Sequence, residues 1–593
     1  MSGLKGCSIG IDFGSTNSSV FIFDSETGKA VPVDIVTGSP LIPSVASYNP
    51  KNRAYDYGLN AKNTSSKKVR VFKAFKMLLS EKDPMILQDR GYDPVSEDAE
   101  SEETGVQANT PEYITKIFLK YILDTVLVKT GYDYIANLVV GFPEVWNNIE
   151  TAGARYVLRE ICTGLLQGIN ENVSKRTGET VQSHVEIRTE PECASAFIAR
   201  QIKLKSGMDY NGHVLTIDYG GGTLDITLSN IETNEKGYME INVLARQGVG
   251  ENNTEDKQIG NAGIIYMESV IEEALRRAEV YEAEESIPHN NKFYKAVNEL
   301  ENYITGAQRE KLEDTFGFYG VDAGVLDGLG DEDDPIDWLF CTIDFDGAGD
   351  DDELLIPYSL MADCYNKVIA PTLNEQLQLI MQDMIEHGIM CKNRKIDHFK
   401  IAVVGGFGRF YPVRNQIQKF FNLDRVGDAR TLEISEDEAE LAIAHGACLL
   451  AEGILKIHKT SRLEIGMAQD RGKNRQIAIQ YGQEIENGKI YFCEDQNHKL
   501  YKFWLDDCVR EFWINYSSKE SGGHIGILKR QIVRQLEGIR ELKEAPVVVG
   551  FSMDESDVLT MHVQPFIKNE PAGEMMNFPL SRYDKMFDIS SFV

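Results

Sequence analysis

Two stretches of the chain share one pattern, and that pattern leaves few folds open. Near the N-terminus the sequence reads Ser8-Ile9-Gly10-Ile11-Asp12-Phe13-Gly14-Ser15-Thr16-Asn17-Ser18-Ser19-Val20-Phe21-Ile22-Phe23. The second stretch is Leu215-Thr216-Ile217-Asp218-Tyr219-Gly220-Gly221-Gly222-Thr223-Leu224-Asp225-Ile226-Thr227-Leu228. In each, apolar residues alternate up to an aspartate, a glycine turn follows, and alternation resumes. Period-2 alternation marks a half-buried strand, so each stretch predicts a strand, a tight turn and a returning strand. Glycine carries no Cβ, so such a turn can take positive φ and let backbone N–H groups close on an anion. Asp218 stands at the strand mouth, with Thr223 and Asp225 on the return. This suits a nucleotide phosphate accompanied by a divalent cation. A plain hairpin with a glycine turn looks the same when met once. Two copies roughly 200 residues apart, one domain length, predict two similar lobes with phosphates held between them.

With 593 residues the chain is long enough for several domains. Its formal net charge of -31 argues against a nucleic-acid partner, which needs clustered Lys and Arg. A bound nucleotide needs only local positive groups. Nine cysteines are scattered without a Cys-x-x-Cys pair, as expected of reduced thiols in a cytoplasmic protein rather than disulfides or a zinc site. The start lacks an apolar signal core and a myristoylation motif, and no apolar run is long enough to span a bilayer; no membrane partner is expected.

Along the chain, Val71 to Leu79 is an apolar run carrying Lys73 and Lys76. Thr110-Pro111 opens a helix to about Lys129. Leu138 to Pro143 is a buried-type strand, Asn148 to Leu166 a helix and Val185 to Arg188 a strand. Thr189-Glu190-Pro191-Glu192 caps a helix to about Lys203. A helix to about Val280, a charged helix over 291–313 and an amphipathic helix from Ser359 to Met384 follow the second hairpin. Acidic runs at 96–103, 331–334 and 350–353 lack the spacing of a calcium loop and read as solvated. Ile401-Ala402-Val403-Val404-Gly405-Gly406-Phe407-Gly408-Arg409 is a strand and glycine turn leading into a helix to Phe421, a turn that suits a nucleotide's sugar or base edge or ordinary α/β packing. Glu438 to Ala451 is a further helix. From Arg462 on, short alternating strands recur, at 476–481, 489–493, 501–505, 510–515, 546–551 and 558–563, the spacing of an all-β sandwich. No Walker loop, His-Glu-x-x-His or catalytic-serine elbow occurs.

Taken in order, these motifs resemble those of the seventy-kilodalton heat-shock chaperones (DnaK-like), within the actin–hexokinase ATPase superfamily. Ile11 to Thr16 resembles the first phosphate motif, Ile217 to Asp225 the second, and Val404 to Arg409 the adenosine motif. Glu190-Pro191-Glu192-Cys193-Ala194 resembles the family's Glu-Pro-x-Ala-Ala segment, and Leu138 to Asn147 the strand ending in its switch proline, here Pro143. Glu440 to Ala447 resembles the helix closing the nucleotide domain, and Phe551 to Leu559 a hairpin of the substrate sandwich.

The resemblance implies an α/β fold: a duplicated actin-like (ribonuclease H-like) two-lobed ATPase domain over 1–455, followed by an all-β sandwich over 456–593. Lobe I would span about 1–212, lobe II about 213–400, with a return to lobe I over about 401–455. It implies ATP or ADP and Mg²⁺ as ligands. Amides of Gly14, Ser15 and Thr16 and of Gly220, Gly221, Gly222 and Thr223 would hold phosphates, and Asp12 and Asp218 would orient hydrated Mg²⁺. Glu190 and Asp225 would position the attacking water, Thr223 would contact the γ-phosphate, and Gly405, Gly406 and Arg409 would frame the adenosine. A lysine would stabilise charge on the transferring phosphoryl group. Lys76 is the candidate, with Lys73 the alternative.

Departures shape the expected partners. The family's arginine used with J-domain proteins stands here as Glu186, and the switch proline's partner arginine as Thr151. The acidic, leucine-rich interdomain linker is replaced by Ile457-His458-Lys459-Thr460-Ser461. J-protein dependence and the usual interdomain allostery are therefore not expected. Residues 456–593 accommodate a sandwich but no helical lid, and a lidless cleft should exchange peptides quickly. The first expectation is a slow ATPase whose β domain binds a polypeptide client. The second is a nucleotide-switched scaffold docking one dedicated protein partner. A sugar-kinase-like activity fits poorly with the lysine, Glu190 and the β domain, and a filament-forming actin relative has no use for the β domain.

Overall fold

The structure, a computed structural model, describes residues 3–590 apart from 37, 65–67, 80, 82, 94–107, 148–151, 208–209, 234–238, 250–261, 283–284, 307, 329–337, 349–351, 390–397, 424–429, 433, 458–460, 462, 470–472, 487, 496, 498, 505–510, 516–522, 529–545, 554–558, 568–569, 572 and 580–586. Thr151, the acidic runs at 96–103 and 331–334, most of the basic segment after Ile457 and part of the 551–559 hairpin lie outside the described residues. The chain divides into two compact units: Met1–Val145 with Gly164–His184 and Arg188–Lys456, and Trp146–Thr163 with Val185–Ile187 and Ile457–Val593. No helix among the described residues is long and apolar enough to cross a membrane.

The first unit is mixed α/β. Strand Gly6–Asp12 pairs antiparallel with Asn17–Asp24 and parallel with Tyr134–Phe142. Strand Gly212–Tyr219 repeats the pattern, antiparallel to Leu224–Thr233 and parallel to Phe399–Val404, with Met239–Val249 beyond Leu224–Thr233. The sequence predicts half-buried strands here, yet the interior of Gly6–Asp12 and the last six residues of Gly212–Tyr219 are buried on both faces. Polar side chains are tolerated there because helix Glu190–Ser206 meets them: Ser195 Oγ lies 3.4 Å from Thr216 Oγ1 and 3.3 Å from Ser229 Oγ.

Helix starts follow their caps. Thr110 accepts from Tyr113 N–H ahead of Pro111–Thr130. Thr189 and Glu192 form a reciprocal capping box at the start of Glu190–Ser206. Helix Ala442–Ala451 lies against both a strand and a helix. A Cβ on Gly10 would overlap Cys448 N and sit 2.5 Å from Ala444 O, and one on Gly446 would overlap Cys193 O. Backbone contact this close requires glycine at both positions.

Four helices differ from expectation. The one expected to end at Leu166 runs on to Thr177, as Ala152–Thr177. The 291–313 span is two helices, Asn291–Thr305 and Arg309–Tyr319, broken at Gly306, where a Cβ would lie 2.5 Å from Asn302 O. The 359–384 span holds a π-helical turn, Tyr365–Ile369, between Tyr358–Cys364 and Ala370–Glu386. Pro371 follows at once; it has no N–H to give and its ring would crowd the carbonyl of Lys367, so the wider turn absorbs it. The last helix is split at Leu441 into Glu436–Glu440 and Ala442–Ala451.

In the second unit, one antiparallel sheet runs in the order Asn474–Ile479, Glu464–Gln469, Glu511–Asn515, Gly523–Leu528, Phe587–Ser590. The other runs Tyr491–Phe492, Val547–Met553, Leu559–Ile567, Glu570–Pro571, with Met576–Pro579 also beside Leu559–Ile567. Ile465, Met467 and Ile514 of the first share one apolar cluster with Val549, Phe551 and Met561 of the second. Tyr156, from helix Ala152–Thr177, is buried in the same cluster.

Candidate functional site

In the first unit the glycine turns of the two hairpins touch. A Cβ on Gly221 would overlap Thr16 Oγ1; one on Gly222 would overlap Ser15 Oγ and stand 2.6 Å from Met77 Sδ. Gly220 N–H donates to Thr223 O at 3.0 Å and closes the second turn. Helix Gly263–Arg277 begins beside it, Ile264 N–H donating to Gly221 O at 2.7 Å. The positive end of that helix dipole therefore adds to the turn amides. A third turn joins them: Gly405 has φ 82°, and a Cβ there would overlap Asp218 Oδ1.

Together these turns bound a cavity of about 360 Å³. Asp12, Gly14, Ser15, Thr16, Lys76, Glu190, Asp218, Gly220, Gly221, Gly222, Thr223, Gly405, Gly406 and Arg409 all line it. Asp225 does not. It is fully buried behind the wall, opposite Asp218 across the strand pair, and its Oδ1 accepts from Glu144 N–H at 3.0 Å.

The two candidate lysines separate. Lys76 is buried and its Nζ pairs with Glu190 Oε1. Lys73 lines a smaller neighbouring cavity of about 40 Å³, donates to Asn298 Oδ1, and stands 4.9 Å from the centre of the Tyr294 ring. Ala74, with φ 54°, turns the chain between them.

Lys76 sits among three buried carboxylates, Glu190, Asp218 and Asp225, and the half-buried Asp12. Burial, then the charge of Glu190, pushes Asp12 up to about 7. Burial, Glu190 and Asp12 push Asp218 up, and burial, Glu190, Asp218 and Glu144 push Asp225 up. Burial pulls the Lys76 ammonium down, but Glu190 and Asp12 outweigh it and hold the proton on. Asp12 Oδ1, Asp218 Oδ2 and Asp225 Oδ2 are buried with no hydrogen-bond partner among the described residues. Orphaned carboxylate oxygens are costly, and a hard divalent cation with its water shell answers that cost. No group of three or more His, Cys, Asp or Glu side chains among the described residues is arranged to ligate a bare metal ion; Asp12 and Asp218, which line the cavity, fit a Mg²⁺ that keeps its waters, and the glycine turns fit the phosphates it would accompany.

Carboxylates and arginines form the opposite end. Arg409 pairs with Glu440 at 3.1 Å, Glu301 with Lys62 at 2.8 Å, and Glu313 with Arg309 at 3.0 Å and Arg414 at 2.7 Å. Glu301, Arg309, Glu313 and Glu440 line the cavity; in the sequence, 301–304 and 308–311 are poor matches to the family's adenine-side helix, and nothing marks Glu313. The break at Gly306 could have shown that two helix faces, not one, turn toward it.

No protein-family profile matches the chain. Over 235 residues it is 28% identical to the chaperone protein DnaK of Mycoplasmoides gallisepticum. At that coarse level the similarity is to heat-shock-70-like chaperones. The match covers 39% of this chain and 32% of that protein, so it spans about a third of the curated relative's length.

Proposed function

We propose that the chain is a DnaK-like ATPase. The first unit is a two-lobed nucleotide domain with duplicated actin-like (ribonuclease H-like) lobes, and the second is a β sandwich that binds polypeptide. One observation carries this: two glycine turns from hairpins far apart in sequence, and the Gly405-Gly406 turn, line one cavity around a buried Lys76–Glu190 pair. Its volume lies within the usual range for ligand pockets, 300 to 1,000 Å³.

In this scheme ATP lies with its phosphates on the amides of Gly14 to Thr16 and Gly220 to Thr223. Its adenosine lies along Gly405, Gly406 and Arg409. Asp12 and Asp218 hold hydrated Mg²⁺, which when bound neutralises charge on the phosphates. Lys76 donates toward the transferring phosphoryl group, the Thr223 hydroxyl contacts the γ-phosphate, and Glu190 accepts a hydrogen bond that orients the attacking water, with Asp225 acting on it from behind the cavity wall. The test is MgATP hydrolysis by the purified chain: slow turnover is expected, abolished by Lys76→Ala or Asp218→Ala, with ATP altering polypeptide affinity. Unchanged turnover in both variants would remove the proposal.

A second reading is a nucleotide-switched scaffold for one dedicated partner. Glu186 and the basic residues after Ile457, in place of the family's arginine and acidic linker, favour it. Affinity capture separates the two: one stoichiometric protein supports the scaffold, many unfolded clients the chaperone. The DnaK similarity is in keeping with a cytoplasmic setting.

A further inference from the structure

We propose that Arg246 is a positioning residue for hydrolysis, holding Asp225 and Glu190 in place through two carboxylates that it bridges. The inference rests on the ATPase reading above.

Arg246 lies on strand Met239–Val249, opposite Thr227 and two residues before Gly248, which pairs with Asp225. Its Nη2 reaches Glu192 Oε1 at 3.4 Å and its Nε stands 3.7 Å from Glu144 Oε1. Both carboxylates are buried. Each is tied to a residue assigned to the attacking water. Glu144 N–H donates to Asp225 Oδ1 at 3.0 Å. Glu192 Oε2 accepts from Thr189 N–H at 3.2 Å, and Glu192 N–H donates to Thr189 Oγ1 at 3.4 Å, fixing the first turn of the helix that Glu190 opens. One guanidinium thus stands between the amide that holds Asp225 and the cap that holds Glu190.

Without it, both buried carboxylates would lose the cation they share. A planar fork can serve two acceptors at once, whereas a lysine brings charge without the fork. Arg246 does not line the cavity, so it acts on the reacting atoms only through these neighbours.

The experiment compares MgATP hydrolysis and equilibrium ATP binding in the full chain and in Arg246→Met, Arg246→Lys and Glu192→Gln. Misplacing a reacting group by about 1 Å costs on the order of a hundredfold, so kcat of Arg246→Met should fall about tenfold to a hundredfold. KM and ATP affinity should stay within about twofold, because no nucleotide contact is lost. Arg246→Lys should recover only part of kcat, and Arg246→Met should cost less when Glu192→Gln is already present. Unchanged kcat, a rise in KM alone, or a kcat loss that matches the loss of ATP bound per chain overturns the inference alone. If Arg246→Met does not fold, Arg246→Lys and Glu192→Gln carry the same comparison. Absence of hydrolysis by the unaltered chain overturns the ATPase reading and this inference together.

Discussion

Asp218 and Asp225 stand directly opposite each other on antiparallel strands, both buried. Like charges directly opposite destabilise a strand pair, and burial sharpens the conflict. The hairpin that carries the second glycine turn is therefore a poor piece of scaffold and a good place for a cation.

Asp218→Asn should accordingly raise the thermal stability of the ligand-free protein while abolishing Mg²⁺-dependent nucleotide binding. Relief of the buried repulsion is expected to be worth about 1 kcal/mol or more. Differential scanning calorimetry with and without MgATP reads both effects; a lower melting temperature in the ligand-free variant would contradict the first.

Lys76→Ala should reduce turnover by a hundredfold to a thousandfold on the order of other electrostatic stabilisers, with ATP still bound. Lys73→Ala should leave turnover within a few-fold, because Lys73 faces Asn298 and Tyr294 in the neighbouring cavity. Single-turnover kinetics separate the two; a larger loss for Lys73→Ala would reverse the assignment.

Asp12 is held up at about 7 by burial and by Glu190. Between its unfolded value near 4 and that folded value, the ligand-free fold binds the extra proton, so this group's contribution favours folding at low pH and is lost as pH rises through about 7. Mg²⁺ needs the ionised form, so its binding should release protons and tighten as pH rises to about 7. Calorimetric titrations at pH 5.5, 6.5 and 7.5 in buffers of different ionisation enthalpy would show it; an affinity independent of pH would count against it.

Gly446→Ala should destabilise the first unit by about 1 to 3 kcal/mol or more, since the added methyl meets a backbone carbonyl that cannot step aside. Chemical denaturation gives the figure, and a neutral result would mean that the two helices can separate without cost.

Tyr156→Ala should cost the second unit roughly 3 to 5 kcal/mol, as for other large buried aromatics. Its ring is fully buried among strand residues of that unit. The variant should lower the melting of that unit while ATP affinity holds; equal loss at both would contradict the assignment.

The hairpins, the capped helices at Thr110 and Thr189 and the Gly405 turn were legible because each depends on local chemistry: alternation, a cap, a glycine. What was not legible depends on neighbours. Strand Glu464–Gln469 went unread because Gly466, Met467 and Ala468 carry little strand preference, and its place comes from pairing on both edges. Glu313 looks like a surface charge in a helix until the turns opposite it are known. The split at Gly306 was hidden because an isolated glycine inside a helical pattern is tolerated at a modest cost. Lys73 and Lys76 could not be told apart from spacing alone, since the positive φ of Ala74 that parts them has no signature in an alanine.

The tight seating of helix Ala442–Ala451 has a mechanical side. Through Gly10 it is keyed to the strand that ends in Asp12, and through Gly446 to the helix that begins with Glu190. It works as a spacer between those two carboxylates: the gap separating them cannot narrow unless main chain gives way, so any closing of the pocket during a turnover cycle must come from its other walls.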